Sequence, residues 1–245
     1  MTWLPLAYAC ACIFLAAIVR GFSGFGFSLL AVSALSLVYT PAEIIPSIFM
    51  LELAASLHLL PSIWKDIHWK SLGPLTLGCF IATPIGVWLL AHVPAAPMQI
   101  ALAMFVLLAT ILLWWGFTLK TMPGKIGATF AGAASGLSNG AFGMGGPPVI
   151  LFYFASPSGA AAGRASLTAF FLATDVIGLA NQSTHGLVTW DAALRALTYL
   201  PALLAGVWVG ARSFKGTNPE TFRKAVLMLL AVLAVMIGVK AVITL

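Results

Sequence analysis

Asn139-Gly-Ala-Phe-Gly-Met-Gly-Gly-Pro-Pro148 is the stretch whose reading decides the fold. Its four glycines and two prolines cannot continue a regular helix, because glycine costs backbone entropy and proline removes an N–H donor. Apolar runs flank it on both sides, where unpaired backbone is expensive. An earlier segment, Arg20-Gly-Phe-Ser-Gly-Phe-Gly-Phe-Ser28, repeats the theme. Irregular backbone at membrane depth survives only where protein buries it or where it lines a cavity. Two such breaks, one in each half of a chain, point to a transport site.

Composition sets the class around these breaks. Of 245 residues, 61% are hydrophobic and 7% charged, and mean hydropathy is +1.06. A soluble domain carries about 25% charged residues. Apolar runs of roughly 20 residues succeed one another, the pattern of an all-α polytopic membrane protein with roughly eight to ten membrane helices. A barrel would show ten-residue alternation, which is missing. The first apolar run lacks a preceding basic segment and is followed by Arg20, so a cleaved signal peptide is not expected. The net charge of +6 is spread over short loops, so it bears on topology and not on nucleic acid. Cys10, Cys12 and Cys79 lie inside apolar runs with no zinc or redox spacing, and neither a cofactor nor a metal is expected.

In chain order, runs at 3–19 and 28–39 flank the first break. Thr40-Pro-Ala-Glu43 reads as a helix start, with a capping Thr, a first-turn Pro and Glu three residues on. That helix runs to about Leu60, and 61–70 is read as a loop. Spans follow at about 71–91 (with Pro74 and Pro84 as kink candidates) and from Pro97 to about Leu119. After the linker at 120–125, the run 126–138 leads into the second break and Val149–Ala155 leaves it. A turn at Ser156–Gly159 precedes spans at about 160–182, 190–212 and 220–243.

The halves, 1–119 and 126–245, read as repeats of one integrated unit. Ser135–Gly140 echoes Arg20–Phe25, Gly86-Val-Trp88 recurs as Gly206-Val-Trp208, and Ala96-Pro97 is placed like Asn218-Pro219. Their relative orientation follows from charge, because Lys and Arg mark the cytoplasmic side. Lys65 and Lys70, Lys120 and Lys125, and Arg212, Lys215, Arg223 and Lys224 form three basic loops, whereas 92–97 and 183–190 hold neither Lys nor Arg. With basic loops inside and bare loops outside, 126–155 makes zero or two crossings. It is a re-entrant hairpin or two short crossing helices. Each half then has an odd number of crossings, so the repeats are inverted, and both termini lie outside.

The candidate binding residues cluster at the breaks. A helix N-terminus offers unpaired N–H groups and a positive dipole end. Gly24 and Gly26 in the first break, and Gly140, Gly143, Gly145, Gly146 and Pro147 in the second, would shape such termini around one shared ligand. Ser23, Ser28, Ser138 and Asn139 would add hydrogen-bonding side chains. Arg20 and Arg164 either hold an oxyanion through two parallel bonds or snorkel to the interface. Arg195 and Lys240 lie near span ends and read as snorkelling. Glu52 and Asp175 are the carboxylates deep inside spans, 123 residues apart, and fit the repeat offset as partners. An intramembrane acid is costly and suggests proton coupling. His58 is a weaker relay candidate. Trp114-Trp115 reads as interface belt.

Arg20-Gly-Phe-Ser-Gly-Phe-Gly-Phe together with Gly136-Leu-Ser-Asn-Gly-Ala-Phe-Gly-Met-Gly-Gly-Pro-Pro148 resembles the sulfite exporter TauE/SafE family, also called the toluene-sulfonate uptake permease family. The likeness extends over essentially the whole chain. It implies a secondary carrier of the bacterial inner membrane for sulfite, sulfonates, sulfoacetate or other organic anions. It transfers no residue roles beyond the two motifs.

The expected function is therefore alternating access around a midplane anion site, with the lipid bilayer as surroundings and a proton as candidate coupling ion. An anion channel with the breaks as its filter is the competing class. An enzyme is disfavoured, since no Gly-x-Ser-x-Gly or His–Ser–carboxylate set is present, and a Walker motif for ATP is absent too.

Overall fold

The computed structural model describes residues 3–116, 123–154, 160–213 and 219–243, of which every regular element is helical. Lys120, the Ser156–Gly159 turn and Lys215 lie outside these residues, as do the side chains of Arg164 and Arg223. The first half builds α1 (Trp3–Ser23), α2 (Phe27–Leu35), α3 (Pro41–Ile63), a 3-10 turn (Trp64–Asp66), α4 (Trp69–His92) and α5 (Ala95–Trp115). The second builds α6 (Lys125–Phe142), α7 (Gly146–Phe154), α8 (Ala160–Thr184), α9 (Trp190–Ser213) and α10 (Pro219–Ile243). This is an all-α polytopic membrane protein.

Local chemistry explains most boundaries. At the start of α3 the Glu43 carboxylate accepts the Thr40 N–H at 2.9 Å, and Pro41 occupies the first turn, where its missing donor costs nothing. The 61–70 segment is more helical than expected. Pro61 sits inside α3, and only Ile67 and His68 separate the 3-10 turn from α4. Both breaks are also shorter than their motifs. The first is Gly24–Gly26 and the second Gly143–Gly145, so Asn139 and Gly140 remain helical. At Gly24, Gly26 and Gly143 φ is +82°, +87° and +67°, left-handed values that a Cβ would oppose. Pro147 and Pro148 stand in the first turn of α7 instead of breaking a helix.

Long helices pair across the halves. Along α4 and α6 small residues mesh in parallel register. Gly78 meets the Thr129 carbonyl, Gly86 that of Leu137, and a Cβ on Gly140 would lie 2.5 Å from the Thr83 oxygen. The same device joins α1 to α9, with Gly206 against Phe14, Gly210 against Ile18 and Gly21 against Val207. α5 pairs with α10, and α3 with α8. Exchanging the halves maps each of these pairings onto another or onto itself. In the α3/α8 pair the Phe49 ring, one turn before Glu52, lies against Gly178, one turn after Asp175. His68 N–H, just beyond α3, donates to Ser166 near the start of α8. The two helices therefore run antiparallel, with Glu52 opposite Asp175.

The short helices double back. The Tyr8 hydroxyl donates to the Ala34 carbonyl at 2.8 Å, which returns the end of α2 to the first half of α1. Tyr153, at the end of α7, shares a 2.8 Å hydrogen bond with Ser71 at the start of α4, level with the start of α6. Each break is thus the tip of a helical hairpin. The bare loops share one end of the molecule, where the His92 and His185 rings meet edge to face at 5.7 Å.

Among the described residues, five helices are long and apolar enough to cross a membrane, namely α1, α4, α5, α9 and α10. Their outer faces are apolar. Leu77, Phe80, Ile81, Ile85 and Trp88 form an exposed helical stripe on α4, and Val232, Val235, Met236, Val239 and Ile243 form another on α10. Water would penalise such stripes, but lipid does not. Trp114 and Trp115, both exposed at the end of α5, fit the expected belt.

Candidate functional site

Buried charge concentrates where α1, α2, α3 and α8 meet. Arg20, in the last turn of α1, is 1% exposed and turns into the bundle, so it does not snorkel. Its Nη1 donates to Glu52 Oε1 at 2.9 Å and its Nη2 to Ser56 Oγ at 2.8 Å. Nε has no partner among the described residues. Glu52 and Ser56 stand one turn apart on α3, so they share a face. The N–H and hydroxyl of Ser28 face the same Glu52 carboxylate.

That last contact comes from backbone geometry. The break at Gly24–Gly26 reverses the chain so that α2 starts beside Arg20. The first three N–H groups of α2 lie ahead of its internal ladder, whose first bond is Leu30 N–H to the Gly26 carbonyl at 3.2 Å. Guanidinium, helix N-terminus and the Ser28 hydroxyl therefore converge on one carboxylate, while Ser56 holds the second guanidinium nitrogen. In composition this is an anion site, and the anion is the protein's own Glu52.

Asp175 lies across from this pair on α8, wholly buried, within electrostatic reach of both Glu52 and Arg20. Neither of its oxygens has a hydrogen-bond partner among the described residues. One buried guanidinium thus stands among two carboxylates. The spacing of 123 residues, read as a repeat offset, brings the two acids to the same crossing.

The second break is built differently. Asn139 Oδ1 accepts the Gly145 N–H at 3.1 Å, and Ser135 Oγ donates to the Gly145 carbonyl at 2.5 Å. Asn139 Nδ2 has no partner among the described residues, and Ser138 Oγ donates back to the Ser135 carbonyl at 3.1 Å. Gly143 abuts Ile45 of α3, two turns from Glu52. The two breaks therefore meet α3 two turns apart. Ser23 also braces, with Oγ at 2.7 and 2.8 Å from the carbonyls of Val19 and Phe25. Gly140 packs against α4, and Gly24, Gly26, Gly143, Gly145, Gly146 and Pro147 shape the hairpin tips. Arg164 opens α8 on the backbone, and its side chain is outside the described residues.

Some residues escaped the sequence reading. Ser56 was legible only as a serine one turn from Glu52, and Ser135 carried no signal beyond its place before Asn139. Gln182, fully buried near the end of α8, has neither amide atom partnered among the described residues. Lys240 and Arg195 reach into the protein instead of toward the interface. Lys240 Nζ lies 3.3 Å from the Ser36 carbonyl at the end of α2, which Gln99 Nε2 also reaches at 3.1 Å. Arg195 donates to the Glu43 carbonyl at 2.9 Å and covers the Tyr39 ring. His58 is exposed.

An all-helical body sheathed in apolar side chains, with its charge sealed at a helix break, belongs to the class of multi-pass membrane transport proteins. The family model for "Sulfite exporter TauE/SafE" matches residues 9–237, and the chain belongs to that family. It is a multi-pass protein of the bacterial inner membrane. A Cupriavidus necator protein named "Probable sulfite/organosulfonate exporter TauE" is 23% identical over 211 residues, covering 82% of this chain and 81% of the relative. No solved structure matches the chain.

Proposed function

We propose that the protein is a secondary carrier of small sulfur-containing oxyanions of the sulfite or sulfonate type, working by alternating access between two inverted repeats, 1–119 and 126–245. The observation that carries the reading is the buried convergence of Arg20, the α2 N-terminus, Ser28 and Ser56. A sulfonate or sulfite oxygen set matches the guanidinium fork and orphan N–H groups as a carboxylate does. Family membership and the relative's printed name support the substrate class.

Helix directions support the inverted repeat. α1 runs with α9, α9 is joined by a short loop to α8, α8 opposes α3, α3 turns through a short link into α4, and α4 runs with α6. Followed through, α1 opposes α6. The hairpin tips then enter from opposite sides, and rocking one half against the other exposes the site alternately. Protonation of Glu52 or of Asp175 couples transport to the proton gradient, since both are titratable, buried and beside the anion site. Asn139 holds the second tip in shape and offers its side-chain NH2 group, which has no partner among the described residues.

Uptake of labelled sulfite and a small sulfonate into proteoliposomes, with and without an imposed pH gradient, tests the proposal. Saturable, gradient-driven flux that falls at least 100-fold in Arg20→Gln supports it. Flux through wild type that does not saturate and shows no counterflow would mark a channel and overturn the carrier reading.

A further inference from the structure

We infer that Glu52 is a tethered competitor of the transported anion at Arg20, so a monoanion binds only as Glu52 takes up a proton and the two move together without net charge. This rests on the anion-carrier reading above and specifies how its site is emptied and filled.

The geometry favours competition over simple structural pairing. Groups suited to a small oxyanion already face Glu52, with Arg20 Nη1 at 2.9 Å and the Ser28 N–H and hydroxyl on the same carboxylate. The second guanidinium nitrogen is held by Ser56, a neutral group that an incoming oxygen can displace. Arg20 Nε remains unused, so the donor set exceeds what one carboxylate satisfies. Glu52 reaches the site from α3, whereas Arg20 and Ser28 come from the α1–α2 hairpin. Separating these elements therefore opens the fork without dismantling it.

Charge balance then sets the coupling. In the described state Arg20 and Glu52 cancel. A monoanion that displaces Glu52 would leave two negative charges around one guanidinium, beside Asp175. Desolvated like charges at such range are strongly unfavourable. A proton from the open side, added to a Glu52 oxygen, removes the excess, so Arg20 pairs with the anion while Glu52 stands neutral. On release to the other side the proton leaves and Glu52 re-forms the pair. One proton and one monoanion cross per cycle.

The surrounding charge inventory is small. Arg20 on α1 and Asp175 on α8 are the charged groups facing Glu52 among the described residues, and α2 presents Ser28. α5 carries no titratable side chain, and Arg195 of α9 is engaged at the far end of α3 with Glu43. Lys65 and Asp66 follow the other end of α3.

Methanesulfonate is the suitable probe, because it keeps a single charge across the working range. Its affinity for purified protein in lipid nanodiscs, measured by calorimetry from pH 5.5 to 8.5, should weaken about tenfold per pH unit over at least part of that range. Glu52→Gln should bind more tightly than wild type with the pH dependence gone, and Asp175→Asn should keep it. Glu52→Asp, which preserves charge but shortens the reach to Arg20, should bind several-fold tighter with the pH dependence retained. It provides a second reading should Glu52→Gln prove unstable by size exclusion. Methanesulfonate jumps on solid-supported membranes should move no net charge through wild type. Weaker binding in both Glu52 variants would overturn the inference, as would pH dependence lost in Asp175→Asn but kept in Glu52→Gln, or a sustained current. If wild type binds neither methanesulfonate nor sulfite at any pH, the substrate reading of the preceding section falls, and this inference falls with it.

Discussion

The two hairpin tips begin from related sequence and end with opposite character. At the first, Arg20 precedes the break, α2 opens with three residues that all carry an N–H, and a carboxylate sits in the resulting pocket of positive potential. At the second, Asn139 and Ser135 spend their hydrogen bonds on Gly145, and Pro147 and Pro148 remove two donors from the first turn of α7. The tip with the denser glycine–proline motif is thus electrically the quieter one. Both tips use the same packing device, because a helix pair tolerates no Cβ where backbones touch. A second buried arginine at the same crossing would repel the first.

Substitutions can separate what the tips share from what divides them. The largest effect should come from shared packing. Gly21→Leu and Gly140→Leu each drive a side chain into a facing backbone carbonyl, and each should abolish folded protein by size-exclusion assay. Tolerance of one but not of the other would break the structural equivalence of the tips.

Next comes the difference between them. Arg20→Gln should cost about 3–5 kcal/mol of stability by leaving Glu52 buried and unpaired, and should eliminate saturable uptake. Asn139→Ala should cost about 1–3 kcal/mol by orphaning the Gly145 N–H, slow turnover, and leave affinity within several-fold of wild type. Thermal unfolding in nanodiscs and initial uptake rates would check both. Reversed ranking would move the anion site to the second tip. Smaller still is Ser56→Ala, which removes one neutral bond to Arg20 and should cost about 0.5–1.5 kcal/mol with a few-fold change in affinity. Pro147→Ala should change stability by less than about 1 kcal/mol, since a first-turn proline replaces a donor that has no helical acceptor.

Much of this molecule was legible in its residues. Apolar run length defined the spans, glycine and proline marked the tips, and absent basic residues placed the 92–97 and 183–190 loops together at one end. The start of α3 could be named from Thr40, Pro41 and Glu43, because a helix cap depends on neighbours a few residues away. Glu52 and Asp175 stood out as the carboxylates deep inside spans, and the structure places them opposite each other.

The tertiary structure alone decided which tip carries charge and what each polar group touches. Arg20 could have snorkelled, for a long cationic side chain near a helix end can reach either water or the interior, and only the placement of α3 settles the choice. Lys240 and Arg195 turn inward for the same reason, drawn to carbonyl groups on segments distant in sequence. Local order follows from short-range backbone and burial preferences that a sequence displays. The occupant of an arginine's fork depends on contacts across 32 residues or more, and those exist only once the helices have packed.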